Sequence, residues 1–128
     1  MIVVDTNAWY WWVTEQPGLS PFARSRLNRE REVVVPTICL WEVAMMATRG
    51  RVDIGPDVAA FLRDALAWDG VRTQPVTPDI AIRAAALTKN VPMDPADQLV
   101  AATAMQLNVP LVTSDDRLQG LPGLQILW

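Results

Sequence analysis

Five short apolar runs, separated by segments of helical character, constrain the fold of this chain more than any other feature. They cover residues 1–4, 32–35, 71–76, 111–113 and 124–128. The first run has no polar alternation, which is typical of a strand buried on both faces. In the third run, Arg72 and Gln74 alternate with apolar residues, which indicates an edge strand or a strand end. Strands that alternate with helices predict a three-layer α/β/α fold around a central, mostly parallel sheet of five strands.

The most clearly marked helix lies over residues 94–107. Asp94 occupies the N-cap position, Pro95 the first helical position and Asp97 the first turn. From Leu99 onward almost every residue is apolar or small, so we expect this helix to be packed on most sides. Capping and the helix dipole could by themselves account for both acids. Further helices are predicted over residues 8–13, 20–29, 37–48, 55–68 and 77–87, and residues 90–93 are expected to form a connection.

The composition excludes several kinds of chemistry. The chain has no histidine, so it cannot form a Ser-His-Asp triad, a Cys-His dyad or a usual His and Cys zinc site. Cys39 is the single cysteine and lies in an apolar run, which favours a buried thiol in a reducing compartment. A length of 128 residues predicts a single domain over 1–128. We see no signal peptide or membrane span and expect a cytoplasmic protein that does not contact a membrane.

Four acids fall near the carboxyl edge of the predicted sheet. Asp5 ends the first strand, Asp115 follows the fourth, Asp97 begins the helix before that strand, and Glu42 lies within the helix after the second strand. Asp5 or Asp115 taken singly could be a helix cap, and an isolated acid such as Glu42 often faces water. Ligands nevertheless bind at this edge of parallel sheets, and almost no other polar residue shares the helix face of Glu42.

Clustered carboxylates repel one another unless a cation lies between them. Carboxylate oxygens are the ligands that Mg²⁺ and Mn²⁺ prefer, and either ion can activate water and neutralise charge on a phosphodiester. This chemistry needs no histidine. The composition and the positions of the acids therefore both predict a metal-dependent hydrolytic site.

Four motifs in this order resemble the PIN domain and, more narrowly, the VapC-type toxins of bacterial toxin–antitoxin pairs. They are Ile2-Val3-Val4-Asp5-Thr6-Asn7, Trp41-Glu42-Val43-Ala44, the segment from Asp94 to Ala104, and Leu111-Val112-Thr113-Ser114-Asp115. The resemblance covers the whole chain, and the Asp94-Pro95-Ala96-Asp97 segment is its most specific part. It implies a PIN-like fold and an endoribonuclease that depends on Mg²⁺ or Mn²⁺.

The resemblance also implies roles for individual residues. The catalytic acids would be Asp5, Glu42, Asp97 and Asp115, with Asp5, Asp97 and Asp115 as the metal ligands. Residues that would support these acids without binding the metal are Thr6, Asp94, Thr113 and Ser114. The chain departs from the family at Gln98, where relatives commonly carry arginine. Asp116 lies beside Asp115, and the spacing after Thr113 favours Asp115 as the family position.

The family implies two kinds of protein partner and an RNA substrate. We expect a homodimer and a cognate VapB-like antitoxin whose C-terminal segment covers the active site. The aromatic cluster at residues 9–12 favours an exposed interface anchor, although core packing of two of its three tryptophans is the alternative, most of all for Trp9. The weak candidates for RNA binding are Arg49, Arg51 and Arg117, because they lie at the ends of acid-bearing segments.

Two other functions are compatible with parts of the sequence. A PIN-like scaffold could bind metal or a partner without turnover, and Gln98 keeps this alternative open. A receiver-type signalling domain also has edge acids that bind Mg²⁺, but it needs a lysine at the end of a late strand. The only lysine, Lys89, precedes the last two strands. The sequence does not identify the RNA that would be cleaved.

Overall fold

The computed structural model describes residues 1–87, 89 and 92–128. In that part of the chain, five strands form one sheet in the order β3-β2-β1-β4-β5, and every neighbouring pair is parallel. The strands are β1 (Ile2–Val4), β2 (Val33–Pro36), β3 (Val71–Gln74), β4 (Leu111–Val112) and β5 (Ile126–Leu127). The expected α/β fold with a central sheet of five strands is confirmed.

The inner strands are apolar because both faces of the sheet are covered. Successive side chains of a strand point to opposite faces, yet all three residues of β1 and all four of β2 are buried. In β3, by contrast, no residue is fully buried, and this strand lies at one edge of the sheet as its polar alternation predicted. Both faces of the sheet are therefore covered at its centre.

Six helices connect and cover the strands in the described part of the chain. They are α1 (Thr6–Val13), α2 (Pro21–Arg29), α3 (Thr37–Thr48), α4 (Val58–Leu66), α5 (Pro78–Leu87) and α6 (Pro95–Leu107), and a 3₁₀ turn spans Asp116–Leu118. Capping residues fix several helix starts: Asp5, Ser20, Asp57 and Asp94 each accept a main-chain N–H through the side chain. The expected connection over residues 90–93 lies partly outside the described residues. No described helix is long and apolar enough to cross a membrane.

The strand order places one point of the sheet in a special position. From β1 the chain builds β2 and β3 on one side, and it then returns to add β4 and β5 on the other side of β1. The carboxyl ends of β1 and β4 are adjacent, since Val4 pairs with Val112, and the loops that follow them diverge. Such a switch of direction opens a crevice in which α/β proteins bind their ligands. The residues that follow directly are Asp5 and Thr113.

Candidate active site

Asp5 is fixed where β1 passes into α1. Its Oδ1 accepts the main-chain N–H of Ala8 at 2.7 Å, so the acid does cap the helix. Burial raises the pKa of Asp5, while the Thr113 hydroxyl and the Ala8 N–H oppose that rise. A capping role therefore accounts for one oxygen of this carboxylate, but not for its placement among other acids.

Glu42 is joined to the same region by the residue after Asp5. The Thr6 hydroxyl donates a hydrogen bond to Oε1 of Glu42, which links the start of α1 to the middle of α3. Glu42 is half-buried, and burial raises its pKa; the Thr6 hydroxyl lowers it and the charge of Asp94 raises it further. Glu42 therefore does not face open solvent, although an isolated acid in so apolar a helix often does.

Asp97 faces the same crevice from the first turn of α6. Its main-chain N–H donates to Oδ1 of the N-cap residue Asp94 at 3.0 Å, which holds the two acids side by side. Burial, followed by the charge of Asp94, raises the pKa of Asp97 to about 6 even though Arg117 opposes the shift. Asp97 therefore loses its proton at a higher pH than an exposed aspartate does.

Asp115 completes the set from the loop after β4. The Thr113 hydroxyl accepts the Asp115 N–H at 3.0 Å and fixes the turn. Arg117 Nε donates to Asp115 Oδ1 at 3.0 Å and Nη2 donates to Oδ2 at 2.7 Å, and these bonds lower the pKa of Asp115. The same Nη2 donates to Asp97 Oδ2 at 3.0 Å. One guanidinium therefore bridges two of the four acids.

The four acids line one cavity of about 420 Å³. Nine of the residues singled out in the sequence border it: Asp5, Thr6, Glu42, Arg51, Asp94, Asp97, Ser114, Asp115 and Arg117. Thr113 lies just beneath and is buried, whereas Arg49 ends α3 and does not border the cavity. Asp116 does not border it either, and its Oδ1 accepts a bond from Gln119 at 3.4 Å.

Three cavity residues were not expected from the sequence: Asn7, Met45 and Met46. Met45 and Met46 follow Glu42 by three and four residues, a spacing that places them on its side of the helix. That spacing could have identified them. Asn7 lies one residue beyond Thr6 and is exposed, and no pattern in the sequence distinguishes it from a capping residue.

The aromatic cluster at the start of the chain is mostly core. Trp9 and Trp12 are buried, with relative exposures of 0% and 6%, so the core alternative holds for two of the three tryptophans. Trp11 is partly covered by Trp128, whose ring centroid lies 6.1 Å away. The most exposed aromatic side chain of the described residues is instead Trp41 on α3, which is 58% exposed and does not border the cavity.

The side chains around the cavity suit a divalent cation by their chemistry. Most of their side-chain oxygens belong to carboxylates, which divalent metal ions prefer. Burial is the largest cause that raises the pKa of Asp5 and Asp97, and neighbouring acids raise both further. Among residues 1–87, 89 and 92–128, no three acid or thiol side chains converge closely enough on one point to hold an ion. Binding one would therefore require side-chain movements.

The fold and the site define a known class: the chain belongs to the PIN domain family. The family model matches residues 2–124. The chain is 35% identical to ribonuclease VapC22 of Mycobacterium tuberculosis over 118 residues, which are 92% of this chain and 89% of that relative. Membership in this family makes the receiver-type alternative wrong. Nucleases of the family generally use a divalent metal ion.

Solved structures with the same fold come from toxin–antitoxin systems. VapBC2 of Rickettsia felis, bound to a DNA fragment from its promoter, is similar with a TM-score of 0.72 at 17% identity, over 99% of this chain and 98% of that chain. The sarcin–ricin loop cleaving toxin VapC20 of Mycobacterium tuberculosis is similar with a TM-score of 0.71 at 16% identity, over 98% and 99% of the two chains. At these identities the similarity shows the fold.

Proposed function

We propose that this chain is a metal-dependent endoribonuclease that acts as the toxin of a toxin–antitoxin pair. The observation that carries the proposal is the meeting of Asp5, Glu42, Asp97 and Asp115 on one cavity at the switch point of the sheet. The names of its relatives support the substrate: one is a ribonuclease, and another cleaves the sarcin–ricin loop.

Asp5, Asp97 and Asp115 are the residues that would hold Mg²⁺ or Mn²⁺. When bound, the ion would lower the pKa of a water molecule and neutralise charge that develops on the scissile phosphate. Thr6 holds Glu42 by its Oε1, which orients the second oxygen, Oε2, to accept a proton from the attacking water. The raised pKa of Glu42 makes it a better base near neutral pH than an exposed glutamate.

Arg51 is the better placed of the two arginines at the end of α3 for contact with RNA. It borders the cavity, whereas Arg49 lies outside it. A guanidinium at the mouth of an acidic site would attract the phosphate backbone and offset the repulsion of the four carboxylates. Specificity for one RNA would then depend on surface shape and contacts with unpaired bases.

We further propose a VapB-like antitoxin that covers the cavity, and a homodimer, in the cytoplasm. Relatives with this fold occur in toxin–antitoxin complexes, including that of Salmonella typhimurium bound to DNA. Trp41 offers an exposed aromatic side chain one residue before Glu42 in the chain, of the kind that anchors protein interfaces. Residues 1–128 would form a single domain in this assembly.

The test compares the wild-type chain with Asp97→Asn and Asp116→Asn. Each is induced in bacteria at matched protein levels, and each purified protein is incubated with total RNA and Mn²⁺. We expect growth arrest and cleavage from the wild type and from Asp116→Asn, and neither from Asp97→Asn. Asp116→Asn is the matched control because it makes the same change to an acid that lies next to Asp115 but does not border the cavity. Equal cleavage by all three proteins would refute the proposed site.

A non-catalytic PIN-like scaffold is the second candidate, and Gln98 is the observation that favours it. Gln98 Nε2 donates to the Met93 carbonyl at 3.0 Å, so it fastens the start of α6 rather than an acid of the site. An inactive wild type that still binds metal, together with cleavage gained by Gln98→Arg, would identify this substitution as the cause of inactivity.

A further inference from the structure

Arg117 lies where two of the proposed metal ligands meet. Its Nη2 is 3.0 Å from Asp97 Oδ2 and 2.7 Å from Asp115 Oδ2, and its Nε is 3.0 Å from Asp115 Oδ1. Asp97 and Asp115 are two of the three acids that would hold the metal ion. Asp97 and Asp115 come from different elements, α6 and the loop after β4. Arg117 is therefore the side chain that joins the two walls of the cavity.

A guanidinium and a metal ion cannot occupy the same position between two carboxylates. A divalent ion bound to carboxylate oxygens lies about 2.0–2.6 Å from them, which leaves no space for a hydrogen-bonded nitrogen on the same side. The two cations would also repel each other at that separation. An ion held between Asp97 and Asp115 at the position that Nη2 occupies would therefore require the guanidinium to leave.

The local structure allows Arg117 to leave without disturbing the fold. Its side chain is 53% exposed, so water can replace its hydrogen bonds to the acids. The turn is held independently of the guanidinium: the Arg117 main-chain N–H donates to Asp115 Oδ1 at 3.0 Å, and the next residue, Leu118, is buried in the core. The side chain can rotate outward while the main chain stays in place.

We infer that Arg117 is a built-in competitor of the metal ion: it pairs with Asp97 and Asp115 in the metal-free protein and is displaced when the ion binds. This inference rests on the proposed function, since it takes Asp97 and Asp115 to be metal ligands. Once displaced, the guanidinium remains at the mouth of the cavity, where it can approach a substrate phosphate. Arg117 is accordingly a positioning residue whose contacts alternate between acid and phosphate.

The test measures Mn²⁺ binding by calorimetry to the full-length wild type, Arg117→Gln and Arg51→Gln at pH 8. Both variants lose one positive charge beside the same cavity, but in the described structure Arg51 makes no ion pair with the acids. Arg51→Gln therefore reports the general electrostatic effect, and the difference between the variants reports direct competition. We expect Arg117→Gln to bind Mn²⁺ about tenfold more tightly than Arg51→Gln does, a usual size for linked equilibria.

Two further measurements separate competition from a change in folding. Arg117→Lys keeps the charge but lacks the planar fork, so its affinity for Mn²⁺ should lie between those of the wild type and Arg117→Gln. In the wild type, the ¹⁵N–¹H signal of Arg117 Nε should shift on addition of diamagnetic Mg²⁺, because its bonds to Asp115 break. Thermal unfolding of the metal-free proteins checks that each variant is folded.

The outcomes distinguish failure of the inference from failure of the proposed function. Tighter binding of Mn²⁺ by Arg117→Gln than by Arg51→Gln supports the competition. This holds even if the wild type binds too weakly to be measured. Equal affinities of these two variants, or weaker binding by Arg117→Gln, overturn the competition while the metal site stands. If none of the proteins binds Mn²⁺ or Mg²⁺, the proposed metal site and the competition are both refuted.

Discussion

The four acids of the cavity form two pairs that are held in different ways. The inner pair is Asp5 and Glu42, whose partners are the Ala8 N–H and the Thr6 hydroxyl. The outer pair is Asp97 and Asp115, which share the guanidinium of Arg117. These partners of the inner pair lie in α1, and the Thr113 hydroxyl that also bonds Asp5 is buried directly after β4. The partner of the outer pair is a long and half-exposed side chain. The inner half of the site is thus preorganised, and the outer half has to rearrange.

The pKa values of the two pairs also differ, because only the outer pair has a cation as its partner. Burial raises the pKa of both inner acids, and no cation among the described residues lowers either pKa. In the outer pair the pKa values diverge: that of Asp115 is lowered by Arg117, whereas that of Asp97 is raised to about 6. Burial and the charge of Asp94 raise the pKa of Asp97, whereas Asp115 accepts three of the four side-chain bonds of Arg117 to this pair. A site that binds an ion is well served by one preorganised pair of acids and a second pair that is held by a removable cation.

The largest expected effect is that of Asp5→Asn in the inner pair. We expect the cleavage rate to fall by about 10³-fold or more, because the variant removes the charge of a proposed metal ligand. Asparagine caps helices as well as aspartate does, so the bond to Ala8 should persist and the melting temperature should change little. Cleavage and thermal unfolding are measured on the same preparations. Cleavage within tenfold of the wild-type rate would contradict a role for Asp5 in the reaction.

A smaller loss is expected from Thr6→Val, which tests whether the inner pair is preorganised by its hydroxyl. Valine has the shape of threonine but cannot donate to Glu42, so the carboxylate would lose its orientation and its pKa would rise further. We expect the turnover number to fall by about 10- to 100-fold, as is usual for residues that orient metal-site groups. Thr6→Ser keeps the hydroxyl and should retain most of the activity. A similar loss in both variants would indicate packing rather than hydrogen bonding as the role of Thr6.

The outer pair should respond to pH in opposite directions. The folded pKa of Asp97, about 6, lies above its usual value of 3.8, so the stabilisation from its protonated form is complete below about pH 4 and is lost as the pH rises through 6. In the metal-free protein at pH 7.5, Asp97→Asn should therefore raise the free energy of unfolding by on the order of 1 kcal/mol after solvent screening.

The pKa of Asp115 is shifted in the opposite direction to that of Asp97. Arg117 lowers its folded pKa, so its stabilisation is present above the unfolded pKa and is lost as the pH falls. Asp115→Asn should accordingly lower the free energy of unfolding at pH 7.5. Denaturant titrations of both variants between pH 4 and 8 check the signs. Destabilisation by both substitutions at pH 7.5 would show that the two outer acids do not differ as described.

The sequence predicted the strands, the edge position of β3 and the caps of α6 because each depends on residues close together in the chain. It also placed the four acids at one edge, since parallel strands bring their carboxyl ends together. The Thr6–Glu42 bond and the bridge from Arg117 to Asp97 join residues 36 and 20 positions apart, and they depend on side-chain rotamers that no pattern specifies. The burial of Trp9 and Trp12 could have been predicted from their spacing of three residues, which places both on one side of α1.

The smallest expected effect is that of Asp94→Asn, which tests how far the state of Asp97 depends on its neighbour. Asparagine would keep the cap bond to the Asp97 N–H, while the charge that is the second largest cause of the raised pKa of Asp97 would disappear. The pH midpoint of Mn²⁺ binding should therefore move down by a fraction of a pH unit, with helix stability almost unchanged. Calorimetric titration of Mn²⁺ between pH 5 and 8 measures this midpoint in the variant and the wild type. An upward shift of this midpoint would mean that the charge of Asp94 favours binding of the cation. The cation would then be attracted by Asp94 together with Asp97 and Asp115, and not by the outer pair alone.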